Sequence, residues 1–306
     1  MSRWLFGRLA WCAAMLVGIA LVTFVITEGI GDPARMRAGP HADAATVAAI
    51  RRELGLDRPL LVRFGAFLTR AVRGDLGRSL QTEEPVTEIL RERLPATALL
   101  AVAGMALWLL IGIPVGIATA MSRRADRISL IVGIGLLSIP TFLLGRWAQY
   151  WLAYRTGWFP VAGYGSAGHL LLPALTLGLA GAGYYARLVH TSMTEVLREE
   201  YVRAARARGL PEGWVLRRYA LRTALLPLIT IVGMDLPALL SGVVFIEYVF
   251  AWPGIGSRAV KAVFDLDVPV IVGTVLLSAT LVVLANLVVD LTYRFLDPRI
   301  GASEAA

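Results

Sequence analysis

Residues 198–222 read REEYVRAARARGLPEGWVLRRYALR and lie between two long apolar segments. Strong helix formers fill Val196 to Arg208, Gly209 can close that helix, and Pro211 stands where a new first turn would begin. The stretch is therefore expected to form two short helices joined at a turn. From Arg187 to Arg222 there are eight arginines against four glutamates. A loop this basic between membrane spans belongs on the cytoplasmic side, and its turn is a place where a partner can dock.

The flanking composition supports a membrane setting. Apolar residues make up 57% of the 306-residue chain, and mean hydropathy is +0.66, well above soluble domains. The formal charge of +8 falls mainly between apolar runs, where the positive-inside bias accounts for it, so no nucleic-acid partner is expected. The one cysteine, Cys12, excludes an intrachain disulfide and a thiolate metal cluster. His41, His169 and His190 are far apart in sequence, so a shared metal site is not expected. Lys261 is the single lysine and no GxxxxGK[ST] string occurs, so this chain has no P-loop with which to hydrolyse ATP.

Taken in order, Leu9 to Ile26 is an uncharged run of 18 residues after a short basic start. TEGIGDP follows from Thr27 to Pro33 instead of a small-residue cleavage site, so the run reads as a retained span. From Glu28 to Arg93, 11 arginines and 10 acidic residues form a long polar segment expected outside. Within it Ala44 to Leu54 predicts a helix capped by Asp43 and stopped by Gly55, and Pro59 and Pro85 open two further helices. The next spans are expected at 95–121, 128–152 with Pro140 inside, 170–186, 223–246 and 268–289, which makes six in all. Arg123, Arg124 and Arg127 keep the loop after the second span inside. Gly178, Gly181 and Gly183 suit close helix packing in the fourth.

Several strings resemble one family. Arg203-Ala204-Ala205 with Gly209 looks like the EAA loop of ABC importer permeases, and Tyr201 to Leu210, YVRAARARGL, resembles the dipeptide, oligopeptide and nickel branch of them. Arg203 replaces the family's usual Glu. Arg222 stands where a Pro is expected, with Leu226-Pro227 following later. Gly31-Asp32-Pro33, LGLD at 54–57, GDLGRS at 74–79, RLPAT at 93–97, WPGIG at 252–256 and LDPRI at 296–300 extend the likeness over most of the chain.

The resemblance implies an all-α membrane protein with six transmembrane helices in the type I ABC importer permease architecture. Residues 1–93 would be the first helix plus an extracytoplasmic helical segment, and 94–298 a permease core of five helices with a cytoplasmic coupling loop at 190–222. It implies a permease subunit for peptides or a related small solute, in a bacterial or archaeal cytoplasmic membrane with both termini cytoplasmic. The implied partners are a second homologous permease, cytoplasmic ATPase subunits, an extracytoplasmic binding protein and the lipid bilayer. No cofactor would be bound by this chain, ATP being used by partner subunits. Arg203, Ala204, Ala205, Arg206, Arg208 and Gly209 would form the ATPase-coupling loop.

Two ionisable residues fall inside expected spans. Asp235 costs ~3 kcal/mol near mid-bilayer and must face protein or water. It either lines a solute path or makes an interspan hydrogen bond that fixes helix packing. Arg146 either snorkels to the outer interface or faces the path. Gly29-Ile30-Gly31-Asp32 matches the GxGD string of intramembrane aspartyl proteases, but the Asp follows the span's end and precedes Pro33, as a turn at the membrane exit would. A protease using Asp32 and Asp235, or an autonomous secondary transporter using Arg146 and Asp235, are the competing readings.

Overall fold

A computed structural model describes residues 2–28, 33–39, 42–53 and 55–296. The GxGD string, His41, Leu54 and the DPRI part of the C-terminal string lie outside or partly outside the described residues. The described chain is helical, with an isolated antiparallel bridge between Arg78 and Pro85. It divides into two compact units, residues 1–97 with 253–287, and residues 98–252 with 288–306.

In the first unit, helix α1 (Ser2–Glu28) is followed by α2 (Pro33–Ala38), α3 (Ala44–Glu53) and α4 (Leu60–Val72). Asp43 caps α3 as expected, its carboxylate accepting from Thr46 N–H at 3.0 Å. The Thr46 side chain, more than this backbone bond, holds the Asp43 carboxyl below the usual carboxylate range by hydrogen bonding to it. Gly55 follows at φ +66°, and Pro59 is the N-cap of α4. Helix α4 packs on α1 through Phe64 and Phe67, 5.7 and 5.6 Å from the Phe24 ring.

Residues 77–86 then turn back on themselves, with Ser79 N–H bonded to Glu84 O and Val86 N–H to Gly77 O, each at 3.0 Å. Helix α5 (Val86–Met121) starts directly after Pro85. Its first turns, with the later helix α14 (Ile255–Phe264) and the start of α15 (Val268–Leu296), bury Val86, Ile89, Leu90, Ile255, Ala262 and Val270 in one core. A polar cluster lies beside it. Asp267, fully buried, accepts from Ser79 Oγ at 2.5 Å, Leu80 N–H at 3.0 Å and Arg258 at 3.1 Å. Arg258 is itself buried, so each charge compensates the desolvation of the other.

In the second unit, α6 (Arg123–Ser138) begins at a Ser122 cap. A continuous third span does not form. Ile139 is extended at φ −89° and ψ 122°, and Pro140 becomes the N-cap of α7 (Thr141–Ala148). Proline disfavours a helical residue before it, so the helix breaks where the sequence led us to expect tolerance. Residues Gln149–Arg155 continue as π-helix. Helix α8 (Ala167–Val196) follows, then α9 (Glu200–Ala207), α10 (Glu212–Val215), a π-helical segment Leu216–Ala220, α11 (Leu221–Ala224), α12 (Leu226–Gly242) and α13 (Val244–Val249).

Glycines set the helix spacing here. Leu107 lies over Gly178, and the Trp108 ring lies over Gly181 so closely that no Cβ fits. A Cβ on Gly112 would stand 2.7 Å from Tyr185 Cβ, and one on Gly116 would stand 2.5 Å from Val189 Cβ. Contacts thus ascend together along α5 and α8, which makes the two helices parallel. Helix α6 runs the other way along α8, since Gly133 meets Gly183 while Asp126 pairs with Arg187 at 3.2 Å nearer the C-terminal end of α8.

Among the described residues, four helices are long and apolar enough to cross a membrane, at Phe6–Thr27, Val86–Met121, Ala167–Val196 and Val268–Leu291. Helices α6 and α12, with 16 and 17 residues, reach only about 25 Å against a hydrocarbon core of about 30 Å.

Two stability tests follow from these contacts. Asp267→Ala strands the Arg258 charge and should cost about 3–5 kcal/mol. It should lower the melting temperature in detergent, and Arg258→Met with Asp267→Leu should recover much of the loss. An unchanged melt for Asp267→Ala would contradict a compensating ion pair. Gly116→Leu should cost about 1–3 kcal/mol or more by overpacking. Gly18→Ala, where nothing lies within 4 Å of the added Cβ, should stay within about 0.5 kcal/mol of wild type. Equal melting of the two glycine variants would remove the case for close α5–α8 approach.

Candidate functional site: a basic helical loop and an aromatic cavity

The basic stretch forms the two helices and turn expected, shortened at its start. Helix α8 ends at Val196, and residues 197–199 turn before α9 opens at Glu200. At the far end Arg208 N–H bonds to Ala204 O, and Gly209 N–H to Arg206 O at 2.9 Å. Gly209 then adopts φ +75°, a left-handed conformation that any Cβ makes costly. Pro211 caps α10, its carbonyl accepting from Trp214 and Val215 N–H.

A fork of charge-assisted hydrogen bonds closes the turn. Arg206 Nε donates to Glu212 Oε2 at 3.1 Å, and its terminal nitrogen to Oε1 at 2.6 Å. The hydrogen bond from Arg206 holds the Glu212 carboxyl below the usual carboxylate range and raises the guanidinium in turn. The clasp is therefore intact at neutral pH and weakens as pH falls through the lowered Glu212 value. Both partners are exposed, so its stability contribution is small and its effect is geometric.

Helix α9 lies against α10 and the π-helical segment, and Val202 and Ala205 are buried at 0% and 3% exposure. Of the expected coupling-loop residues, Ala205 is thus the one that is buried. Positions 202 and 205 are one turn apart on the helix and bury together, which turns 203, 204 and 208 outward. Arg203, Ala204, Arg206, Arg208 and Gly209 are all exposed. Among the described residues Arg203 and Arg208 have no ion-pair partner, while Arg206 is engaged by Glu212.

Arg146 is exposed on α7 and donates to Gln149 Oε1 at 3.1 Å. Gln149 is buried, and its amide donates at 2.9 Å to both Val161 O and Val249 O. It thereby ties the 156–166 loop to the end of α13. Gly163 N–H adds a bond to Phe250 O, and Tyr164 stacks edge-on against the buried Trp252 at 4.7 Å.

Asp235, half-buried on α12, accepts from the Tyr185 hydroxyl on α8 at 2.8 Å. Both residues line a cavity of about 420 Å³ together with Trp108, Tyr184, Gly181 and Leu239. Sequence reasoning singled out Asp235 but not its aromatic neighbours. They sit 50 or more positions away, and no local pattern marks them. It also missed the Ser79–Arg258–Asp267 cluster, although GDLGRS and the WPGIG segment were read as family strings.

Comparison with known proteins supplies the family. Residues 112–302 match the family model of the binding-protein-dependent transport system inner membrane component, and residues 1–101 match the N-terminal model of the same systems. The glutathione transport system permease protein GsiC of Salmonella typhimurium is 38% identical over 98% of this chain and 99% of its own length. The protein of that name from Pectobacterium atrosepticum is 40% identical over 94% of each. Among solved structures, one of the MetNI methionine ABC transporter aligns with a TM-score of 0.53 and 22% identity over 70% of this chain. One of an amino acid ABC transporter aligns at 0.52 and 14% identity over 68%. These two establish a shared fold. The chain belongs to the binding-protein-dependent transport system inner membrane component family and is a permease subunit of an ABC importer.

Proposed function

We propose that this permease forms half of a translocation path with a second, homologous permease, and that residues 190–222 dock on a cytoplasmic ATPase subunit. ATP is consumed by those partners, and an extracytoplasmic binding protein delivers the solute. Peptides or glutathione are the solute class that fits, given the GsiC relatives. Residues 1–93 serve as a first span with an extracytoplasmic segment, and 94–298 as the permease core.

The observation that carries the coupling assignment is the form of the loop. A clasped helical turn presents Arg203, Ala204, Arg208 and Gly209 to solvent while Val202 and Ala205 anchor it. An exposed, rigid projection of small residues rimmed by unpaired arginines fits a cleft with acidic walls, and can transmit that cleft's motion to α8 and α12. Arg146 serves at the outer interface, where it orients Gln149.

Six crossings are favoured by the helix directions. Parallel α5 and α8 with α6 antiparallel to α8 require the chain to cross back between them, so α6 and α7 act as one broken span. Helices α12 and α13 serve likewise, and both termini come out cytoplasmic.

Coupling is tested in the complete importer reconstituted in lipid. Ala204→Trp and Gly209→Glu should leave membrane levels unchanged and abolish ATP hydrolysis stimulated by loaded binding protein. Gly209→Ala should impair it less, through a backbone cost of about 1 kcal/mol. Ala205→Trp should instead lower the amount of folded protein, because the position is buried. Full stimulated activity in both Ala204→Trp and Gly209→Glu would defeat the docking assignment.

Orientation is tested with reporter fusions. Those after Arg124, Met193 and Ile300 should report the cytoplasm, and those at Thr82, Gly163 and Ser257 the exterior. A cytoplasmic signal at Thr82 would overturn the arrangement.

A further inference from the structure

A carboxylate within a membrane helix is retained only where something compensates it, and what surrounds Asp235 is specific in chemistry. The Tyr185 hydroxyl occupies Oδ2, while Oδ1 receives no hydrogen bond from a described residue. The cavity of about 420 Å³ opens beside it. Three aromatic rings contribute to its wall. Tyr185 lies 5.5 Å from Trp108 and 5.6 Å, edge-on, from Tyr184. No Arg, Lys or His is among the lining residues.

The rings are held before any ligand arrives. Trp108 Nε1–H donates to Leu177 O, and the indole is seated over Gly181. Tyr185 is wedged against Gly112. An anionic group entering this space would meet only the charge of Asp235 and the negative faces of the rings. A neutral apolar group would leave the carboxylate uncompensated. A cation gains from both, by ion pairing with Oδ1 and by cation–π attraction to the ring faces. An interspan bond made only for packing would need neither the cavity nor the other two rings.

We propose that this cavity receives the protonated amino group of the transported solute, with Asp235 as its counter-charge and Trp108, Tyr184 and Tyr185 as its aromatic wall. The proposal rests on the reading of this chain as half of a solute path. Unmodified peptides and glutathione each carry at least one such ammonium group, so the permease itself selects for a free amine in addition to whatever selection its binding protein exercises.

The test uses the complete importer in lipid nanodiscs and two probes, 4-azidophenethylamine and its N-acetyl amide. The probes share a photoreactive ring and differ in charge. After photolysis, the labelled peptides of this chain are mapped by mass spectrometry. The amine should label segments containing Trp108 or Tyr184 at least about tenfold more than the amide. Asp235→Asn should reduce amine labelling to the amide's level, and Asp235→Glu should restore most of it. Equal labelling by amine and amide in the wild-type complex overturns the proposal, as does undiminished amine labelling in Asp235→Asn. If Asp235→Asn does not assemble, the wild-type comparison decides. ATP hydrolysis stimulated by glutathione-loaded binding protein is measured on the same samples. Normal stimulation without amine preference sinks this proposal alone, whereas amine-selective labelling in a wild-type complex with no stimulation sinks the reading of this chain as half of a glutathione path and leaves the cation site standing.

Discussion

The close approach of α5 and α8 is the contact on which the second unit depends. In lipid, apolar side chains gain nothing by leaving one hydrocarbon environment for another, so helices associate through van der Waals contact at short range. Gly112, Gly116, Gly178 and Gly181 remove the Cβ atoms that would hold the two helices apart. The space so released is filled by Leu107, Trp108, Tyr185 and Val189. Two of these four are also walls of the Asp235 cavity, so the packing that joins the helices also orients the rings. The parallel direction of the pair has a topological consequence as well, because only a returning segment can connect two parallel spans.

Polar groups serve a different purpose away from these seams. In the first unit, Asp267 draws in Ser79, Leu80 and Arg258 from distant parts of the chain. In the second, a single buried amide, Gln149, bridges Val161 and Val249. Dispersion contacts tolerate sliding, whereas a buried charge or amide costs free energy as soon as its partners shift. Such groups therefore hold loops in place where apolar contact alone would leave them free to move.

The basic loop combines both devices on a small scale. Val202, Ala205, Val215 and Ala220 are each buried, and the Arg206–Glu212 fork closes the turn between the two helices. Gly209 supplies the left-handed residue that lets α9 stop and α10 begin at once. A turn of this kind has few soft dihedrals, and that stiffness is what the proposed coupling role requires.

Local signals in the sequence were sufficient for much of this. Hydropathy and arginine placement determined the membrane class, and Gly209 and Pro211 determined where the helices of the basic loop stop and start. Asp43, Gly55, Pro59 and Pro85 marked the bounds of α3, α4 and α5, and Gly178, Gly181 and Gly183 marked a packing face. Each of these rests on backbone preferences or burial periodicity within a few residues. What only the tertiary structure decided depends on which distant residues meet. Ala204 and Ala205 are indistinguishable as sequence, and the packing of α9 against its neighbours leaves one exposed and the other buried. Pro140 was compatible with a kinked or a broken span, and the extended backbone of Ile139 settled on a break. Asp235 announced itself by its charge alone. Its meaning comes from Trp108, Tyr184 and Tyr185, which reach it only because glycines bring α5 and α8 together, a proximity that no local pattern encodes.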